Sequence, residues 1–313
     1  RNRKRNVFLL GEKMRIGIIG QGFVGTAIRE GLRNYYNVQG YDIQPDKCYN
    51  MDDVGHIDDR LNVLVSENDV IFVCVPTPMR KDMSCDTRIL EKALDDAYAV
   101  IKKNDPDPLH SDFLNRQKKK KIFVIKSTVP PGTTERLAAK YPRLALCFSP
   151  EFLTEANSVE DFKNQTRIII GGDGARILKQ VFRKVFPRIP IVITKSSTAE
   201  MVKYFTNCFL ATKVTFANQM YQICEAANID YDKVCEYALH DTRIGKSHLA
   251  VPGPDGDLGF GGHCFPKDLA AMIHFADKIE AGSGFLQGVK FFNSDIRKNK
   301  DWESMKGRAV SDD

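Results

Sequence analysis

Arg15-Ile-Gly-Ile-Ile-Gly20-Gln-Gly22-Phe23-Val24-Gly25, running into Thr26-Ala-Ile-Arg-Glu-Gly-Leu32, decides the fold. A β-branched run ends in a glycine turn, and helical spacing starts at once. Alone, a G-x-G-x-x-G is a weak signal. Here it lies between a predicted strand and a predicted helix, and the next apolar run ends at Asp42, 17 residues after Gly25. Gly20, Gly22 and Gly25 let the backbone approach a pyrophosphate, and the N-terminus of the helix that follows is expected to supply N–H groups and a partial positive charge. Asp42 would accept hydrogen bonds from the adenosine ribose and repel a 2′-phosphate, which points to NAD rather than NADP.

Outward from that turn, short apolar runs alternate with amphipathic stretches. Strands are expected at Arg15–Gly20, Val38–Asp42, Val70–Pro76, Lys121–Val129, Leu144–Pro150, Arg167–Gly172 and Pro190–Thr194. Continuous runs such as VIFVCV and KIFVIK imply strands covered on both faces. Helical spacing marks Asp86–Lys102 and Gly174–Val185. After Lys195 the pattern becomes all-helical. Ser197–Asn228 reads as one uninterrupted helix without Pro or Gly, well above average length. Asp232–Leu239, a glycine-rich loop at Gly253–Gly262 and a last helical region from Lys267 towards Lys300 follow. The expected fold is α/β: a Rossmann-type, mostly parallel sheet at 14–196, then an all-helical dimerisation domain at 197–313 built on one long helix. Residues 1–13 read as an extension outside the fold.

With 313 residues, 42% of them hydrophobic, the chain can bury a sizeable core, which excludes a disordered tail. No apolar run reaches membrane-span length, and eight scattered cysteines suggest reduced thiols, so a cytoplasmic protein without membrane or metal is expected. The net charge of +6 invites a nucleic-acid reading. Residues 1–13 carry +4 of it and 116–121 carry +5, leaving the remainder at −3. No nucleic-acid partner is therefore expected, and the basic stretch 104–121 reads as a solvated loop.

The reacting end is Gly259-Phe260-Gly261-Gly-His-Cys264-Phe-Pro-Lys267-Asp268. Pro266 suits the first position of a helix, which leaves Cys264 just before its N-terminus. A thiol there with Lys267 nearby should ionise readily and act as a nucleophile. On the long helix, Lys203 and Asn207 are four apart and share a face. Strand-end loops at Val75-Pro-Thr77-Pro, Lys126-Ser-Thr128 and Ser149-Pro-Glu151-Phe152-Leu153-Thr154-Glu155 complete the candidates, placed where open parallel sheets hold ligands.

GQGFVG, VPTP, STVPPGTT, SPEFLTEA, AEMVKYFTNCFLATKVTFAN, RIG and GFGGHCFPKD occur in an order and spacing that resemble the UDP-glucose/GDP-mannose 6-dehydrogenase family, from Met14 to about Arg297. The resemblance implies a four-electron oxidation of a nucleotide sugar with two NAD⁺. Cys264 is then the nucleophile, Lys203 and Asn207 hold the oxyanion, and Asp268, Thr128 and Glu155 position the water. Gly20, Gly22, Phe23, Val24, Gly25, Asp42, Lys47, Thr77, Thr128, Lys267 and Arg297 match cofactor positions. Phe152 to Glu155, Lys203, Asn207, Phe260 and Gly261 match substrate contacts, and Arg243 matches an arginine that reaches a neighbouring subunit's substrate across a homodimer seam on the long helix. Two departures stand out. The chain ends 45 residues past Asp268, which reads as a short form, natural or truncated, lacking the family's C-terminal nucleotide-binding domain, and Pro252 to Asp257 is an extra PGPDGD.

Overall fold

A computed structural model describes residues 14–104 and 120–312; the expectations for 1–13 and for most of the basic loop lie outside the described residues. The described chain forms two compact units that are not consecutive blocks of sequence. Pro76–Ile89 and Thr128–Pro130 belong with Glu200 onwards, and the rest of the chain before Glu200 forms the first unit.

The first unit holds a seven-stranded sheet in the order β2-β1-β3-β4-β5-β6-β7. Its strands are β1 Arg15–Ile19, β2 Asn37–Tyr41, β3 Val70–Val73, β4 Ile122–Ile125, β5 Ala145–Phe148, β6 Ile168–Gly172 and β7 Ile191–Thr194. All pairings are parallel except β5 with β6. Every residue of β3, β4 and β5 is buried, as the unbroken apolar runs require for strands covered on both faces. The chain leaves β1 toward β2 and then returns across it to β3. That reversal is the topological switch point, where open α/β sheets place a ligand at the carboxyl ends of the strands.

The covering helices are α1 Phe23–Leu32, α2 Ile57–Glu67, α3 Arg88–Asn104, α4 Thr133–Lys140, α5 Ser158–Lys163 and α6 Ala175–Val185. Of these, α2, α4 and α5 are not among the helices that the sequence spacing predicts. Core packing under α1 is close: a Cβ on Gly31 would meet the Phe162 ring at 2.2 Å. Phe72, Phe182 and Phe162 fill this core, each such ring contributing roughly 1.5–3 kcal/mol by burial.

The second unit is built on α7 Ser196–Ala227 from Glu200 onwards, followed by α8 Tyr231–Ala238, α9 Phe265–Lys278 and α10 Gly284–Ile296. The single last helix expected from Lys267 to Lys300 is two helices. Glu280 and Gly282 between them take positive φ (57° and 74°), which ends α9 and turns the chain. Tyr204, Cys208 and Ala211 of α7 pack on Leu269, Met272 and Ile273 of α9 and on Val289 of α10, with Phe260 among them. No helix among the described residues is long and apolar enough to cross a membrane, and no disulfide joins any of the eight cysteines.

Candidate active site

The glycine turn of the first unit is shaped by contacts that only glycine allows. Gly20 takes φ +89°, and a Cβ there would lie 2.5 Å from the Cys74 carbonyl oxygen. A Cβ on Gly25 would lie 1.9 Å from the Gly20 carbonyl oxygen. At Gly22, by contrast, a Cβ would meet nothing within 4 Å. Gly22 caps α1, and no side chain caps that N-terminus. An open backbone cradle therefore faces a helix N-terminus that no side chain caps, whose partial positive charge fits a pyrophosphate. Asp42 stands at the end of β2 beside it, with one carboxylate oxygen accepting from the Gln21 N–H at 2.8 Å and the other from the Gln44 N–H at 3.0 Å. These two bonds aim the carboxylate at the turn, where a ribose would sit. Lys47 is exposed at the end of a short 3₁₀ turn, Pro45–Lys47. The residues present thus fit NAD.

The strongest prediction at this end concerns Gly25. Gly25→Ala forces the Gly20 carbonyl to move, and NAD affinity is expected to fall at least about tenfold, since a misplaced cradle forfeits several hydrogen bonds. Isothermal titration with NAD⁺ checks it; unchanged affinity would show that the turn yields freely.

Elsewhere in the first unit, Lys126 is buried and donates to the Pro150 carbonyl at 3.0 Å, and Glu151 is buried beside the following loop. The Leu153 N–H donates to Glu151, and Thr154 is held by both its N–H and hydroxyl on Asp161. Phe152 carries the Arg167 guanidinium 4.1 Å above its ring. Glu155 is exposed.

In the second unit Cys264 caps α9, with Phe265 as the first helical residue and Pro266 the second, one step later than the sequence suggests. Asp268 is buried (1% exposed) in the first turn. It accepts a 2.6 Å hydrogen bond from the Asn207 amide and a short ion pair from the Lys267 ammonium. Burial alone would push Lys267 down, but the charges of Asp268 and Cys264 outweigh it and raise it above the ordinary lysine range. A fixed cation therefore stands beside the Cys264 thiol. Lys203, one turn before Asn207, is also buried. For Lys203 the ordinary expectation of a solvated or snorkelling chain fails.

Thr77 donates its hydroxyl to the Thr128 carbonyl at 2.7 Å, and the Cys85 thiol approaches the same carbonyl at 3.6 Å. Burial pushes the Cys85 thiol up to about 11 and the Cys208 thiol up to about 12, with Asp268 adding to the latter. Those thiols stay protonated at neutral pH, as structural cysteines do. Cys264, Lys267, Asp268 and Asn207 are thus brought together, with Cys85 and the Thr77–Thr128 pair within their field.

Other expected residues are placed differently. Arg297 is enclosed rather than offered to a ligand. Its side chain donates to the Asn299 and Leu258 carbonyls and to Asp255 at 2.6 Å, with Asp257 and Asp301 within 4 Å. The extra PGPDGD thus supplies two of the carboxylates around it. A Cβ on Gly261 would lie 2.3 Å from that guanidinium, so the loop can pass only as glycine. Arg243 is exposed and chelated by its own Asp241.

Two residues escape a motif-led reading. Asn218 accepts from the Gly259 N–H at 3.0 Å, while Asn293 accepts from the Phe260 N–H at 2.7 Å and donates back to its carbonyl at 3.0 Å. These amides bracket the loop that leads to Cys264. The signal was available for one: Asn218 lies three helical turns after Asn207, on the same face of α7.

A dinucleotide cradle in one unit, and in the other a cysteine at a helix start beside a buried lysine and carboxylate, fit the class of NAD-dependent dehydrogenases. The sequence model of the UDP-glucose/GDP-mannose dehydrogenase family NAD binding domain matches residues 56–189, and that of the family's central domain matches 197–295. The chain belongs to this family. It is 32% identical over 309 residues to UDP-glucose 6-dehydrogenase YwqF of Bacillus subtilis, covering 88% of this chain and 65% of that one. UDP-glucose 6-dehydrogenase AglM of Haloferax volcanii is 31% identical, with coverage of 83% and 65%. The solved UDP-glucose dehydrogenase of Pyrobaculum islandicum superposes with a TM-score of 0.73 at 28% identity, over 92% of this chain and 69% of that one. The chain thus spans from about a third to two thirds of the length of the curated relatives it matches.

Proposed function

We propose that this protein oxidises a nucleotide sugar at C6, converting UDP-glucose to UDP-glucuronate. In this reading the Cys264 thiolate adds to the C6 aldehyde to form a thiohemiacetal, whose oxidation leaves a thioester that water hydrolyses. NAD, held by the glycine turn and Asp42, would supply the hydride acceptor for both oxidations. Lys203 and Asn207 hold the oxyanion that develops at C6, a task suited to buried donors. Asp268, with Thr128 and Glu155, orients the water. Phe152 to Glu155, Phe260 and Gly261 take the sugar nucleotide, and Gly20, Gly22, Gly25, Asp42, Lys47, Thr77 and Lys267 serve the cofactor.

The observation that carries this reading is the buried chain of contacts from Asn207 through Asp268 to Lys267, at the start of the helix that Cys264 caps and with the Cys264 charge felt by Lys267. A purely structural cysteine has no use for a fixed cation and a carboxylate at its helix start. The names of the relatives support the choice of sugar. NADH production across UDP-glucose, GDP-mannose and UDP-N-acetylhexosamines tests it: preference for UDP-glucose is expected, and preference for another sugar moves the substrate within the class. NAD⁺ binding without reduction of any of them would instead indicate a non-catalytic relative.

A homodimer through α7 belongs to the same proposal. Phe205, Phe209, Phe216 and Ile223 are 71, 57, 62 and 49% exposed, and the last three repeat every seven residues along one stripe. Such a seam on a long helix calls for a partner. Phe209→Asp with Phe216→Asp should convert the dimer to monomer in analytical ultracentrifugation. A monomeric parent protein would remove this part of the proposal.

A further inference from the structure

The second unit holds a cavity of about 470 Å³ that shares only Phe260 with the reading above. It lies against the loop after Thr77, the start of α9, the side of α10 and the segment 300–311. Four cations line it, Arg80, Lys81, Lys290 and Lys300, against one carboxylate, Glu303. Among the described residues Lys81 and Lys300 pair with no carboxylate, and the Lys290 ammonium is spent on the Met83 thioether, a weak acceptor. Arg80 shares one Nη with Asp86, yet its Nε is buried with no hydrogen-bond partner. Met83, on the same loop, takes φ +68°, a placement a methionine adopts only under constraint. The remaining wall is mixed, with Trp302, Phe260 and Met79 beside the polar Asn293, Ser294 and Ser311.

Like charges gathered around a concave space make a field that favours an anion. A basic rim over an indole and two other apolar side chains suits an anion that carries a planar ring. The volume lies within the range of small-molecule sites. From these features we infer that this cavity is a second ligand site that binds a nucleoside diphosphate, the phosphates on Arg80, Lys81 and Lys290 and the base against Trp302. Because Phe260 and Pro266 also belong to the loop and helix that carry Cys264, an occupant bears on the position of that thiol.

Trp302 is the protein's only tryptophan, so its fluorescence reports on this wall. UDP, ADP and inorganic pyrophosphate are titrated into the parent chain, into Cys264→Ala and into the charge reversal Lys81→Glu/Lys290→Glu, two exposed positions outside the proposed active site. The expected result is a saturable Trp302 change with either nucleotide, at least tenfold weaker for pyrophosphate, retained in Cys264→Ala and weakened at least tenfold by the charge reversal. No Trp302 response to any of the three, or a nucleotide response unaltered by the charge reversal, overturns the site. Equal affinity for nucleotide and pyrophosphate overturns the role of the ring.

Discussion

Cys264→Ala is expected to abolish NADH formation from UDP-glucose, with kcat down by at least roughly 10⁴-fold, the scale of losing a nucleophile that works as part of a unit. The reasoning is local. Cys264 is half-buried at the start of α9, Lys267 supplies a cation that stays protonated, and Asp268 and Asn207 fix that cation in place. Removing one sulfur atom from a partly exposed position should leave stability within about 1 kcal/mol. NAD⁺ affinity should also persist, since the glycine cradle lies in the other unit. Steady-state NADH production together with a thermal melt checks both halves, and appreciable turnover by the folded variant would remove the covalent route.

The largest stability effect is expected at Asp268. Its carboxylate is 1% exposed and pairs with Lys267, whose side chain is 11% exposed. Asp268→Ala leaves that ammonium buried without its counter-charge and strands the Asn207 amide, a change that costs roughly 3–5 kcal/mol. In a protein of this size the corresponding fall in Tm is on the order of 10 °C. Lys267→Met with Asp268→Leu should recover most of the loss, because two apolar side chains leave no buried charge. The sign with pH follows from the raised Lys267: its contribution is complete below the ordinary lysine value and is lost only as pH rises through its higher folded value. The parent protein should therefore keep this contribution across neutral pH. A melt of Asp268→Ala within about 1 kcal/mol of the parent would mean the pair is solvated in solution.

How much of this was legible beforehand depends on the kind of signal. Strands β3, β4 and β5 stand out because four consecutive apolar residues in each face helices on both sides, and α7 because 32 residues run without a breaker. The eight-residue α4 hides behind Pro130-Pro-Gly132, and the last helix divides where Glu280 adopts a backbone conformation its sequence does not announce. Cys264 and Asp268 were legible because a proline and a glycine-rich loop mark the helix start. The pairing of Asp268 with Asn207, 61 residues earlier, depends on how α7 and α9 pack, which local spacing cannot supply. The same holds for Arg297, whose carboxylate partner Asp255 is 42 residues away. Read locally it is an available cation; in the fold it is a buried fastener of the loop before Cys264.

The most direct measurement of the central claim is stoichiometric. With UDP-glucose limiting and NAD⁺ in excess, the purified chain should form two NADH per sugar consumed and release the carboxylate with no free aldehyde, because Cys264 retains the intermediate between the two oxidations. One NADH per sugar with aldehyde released to a trapping amine would contradict the account, since the thiol would then have no part in the reaction.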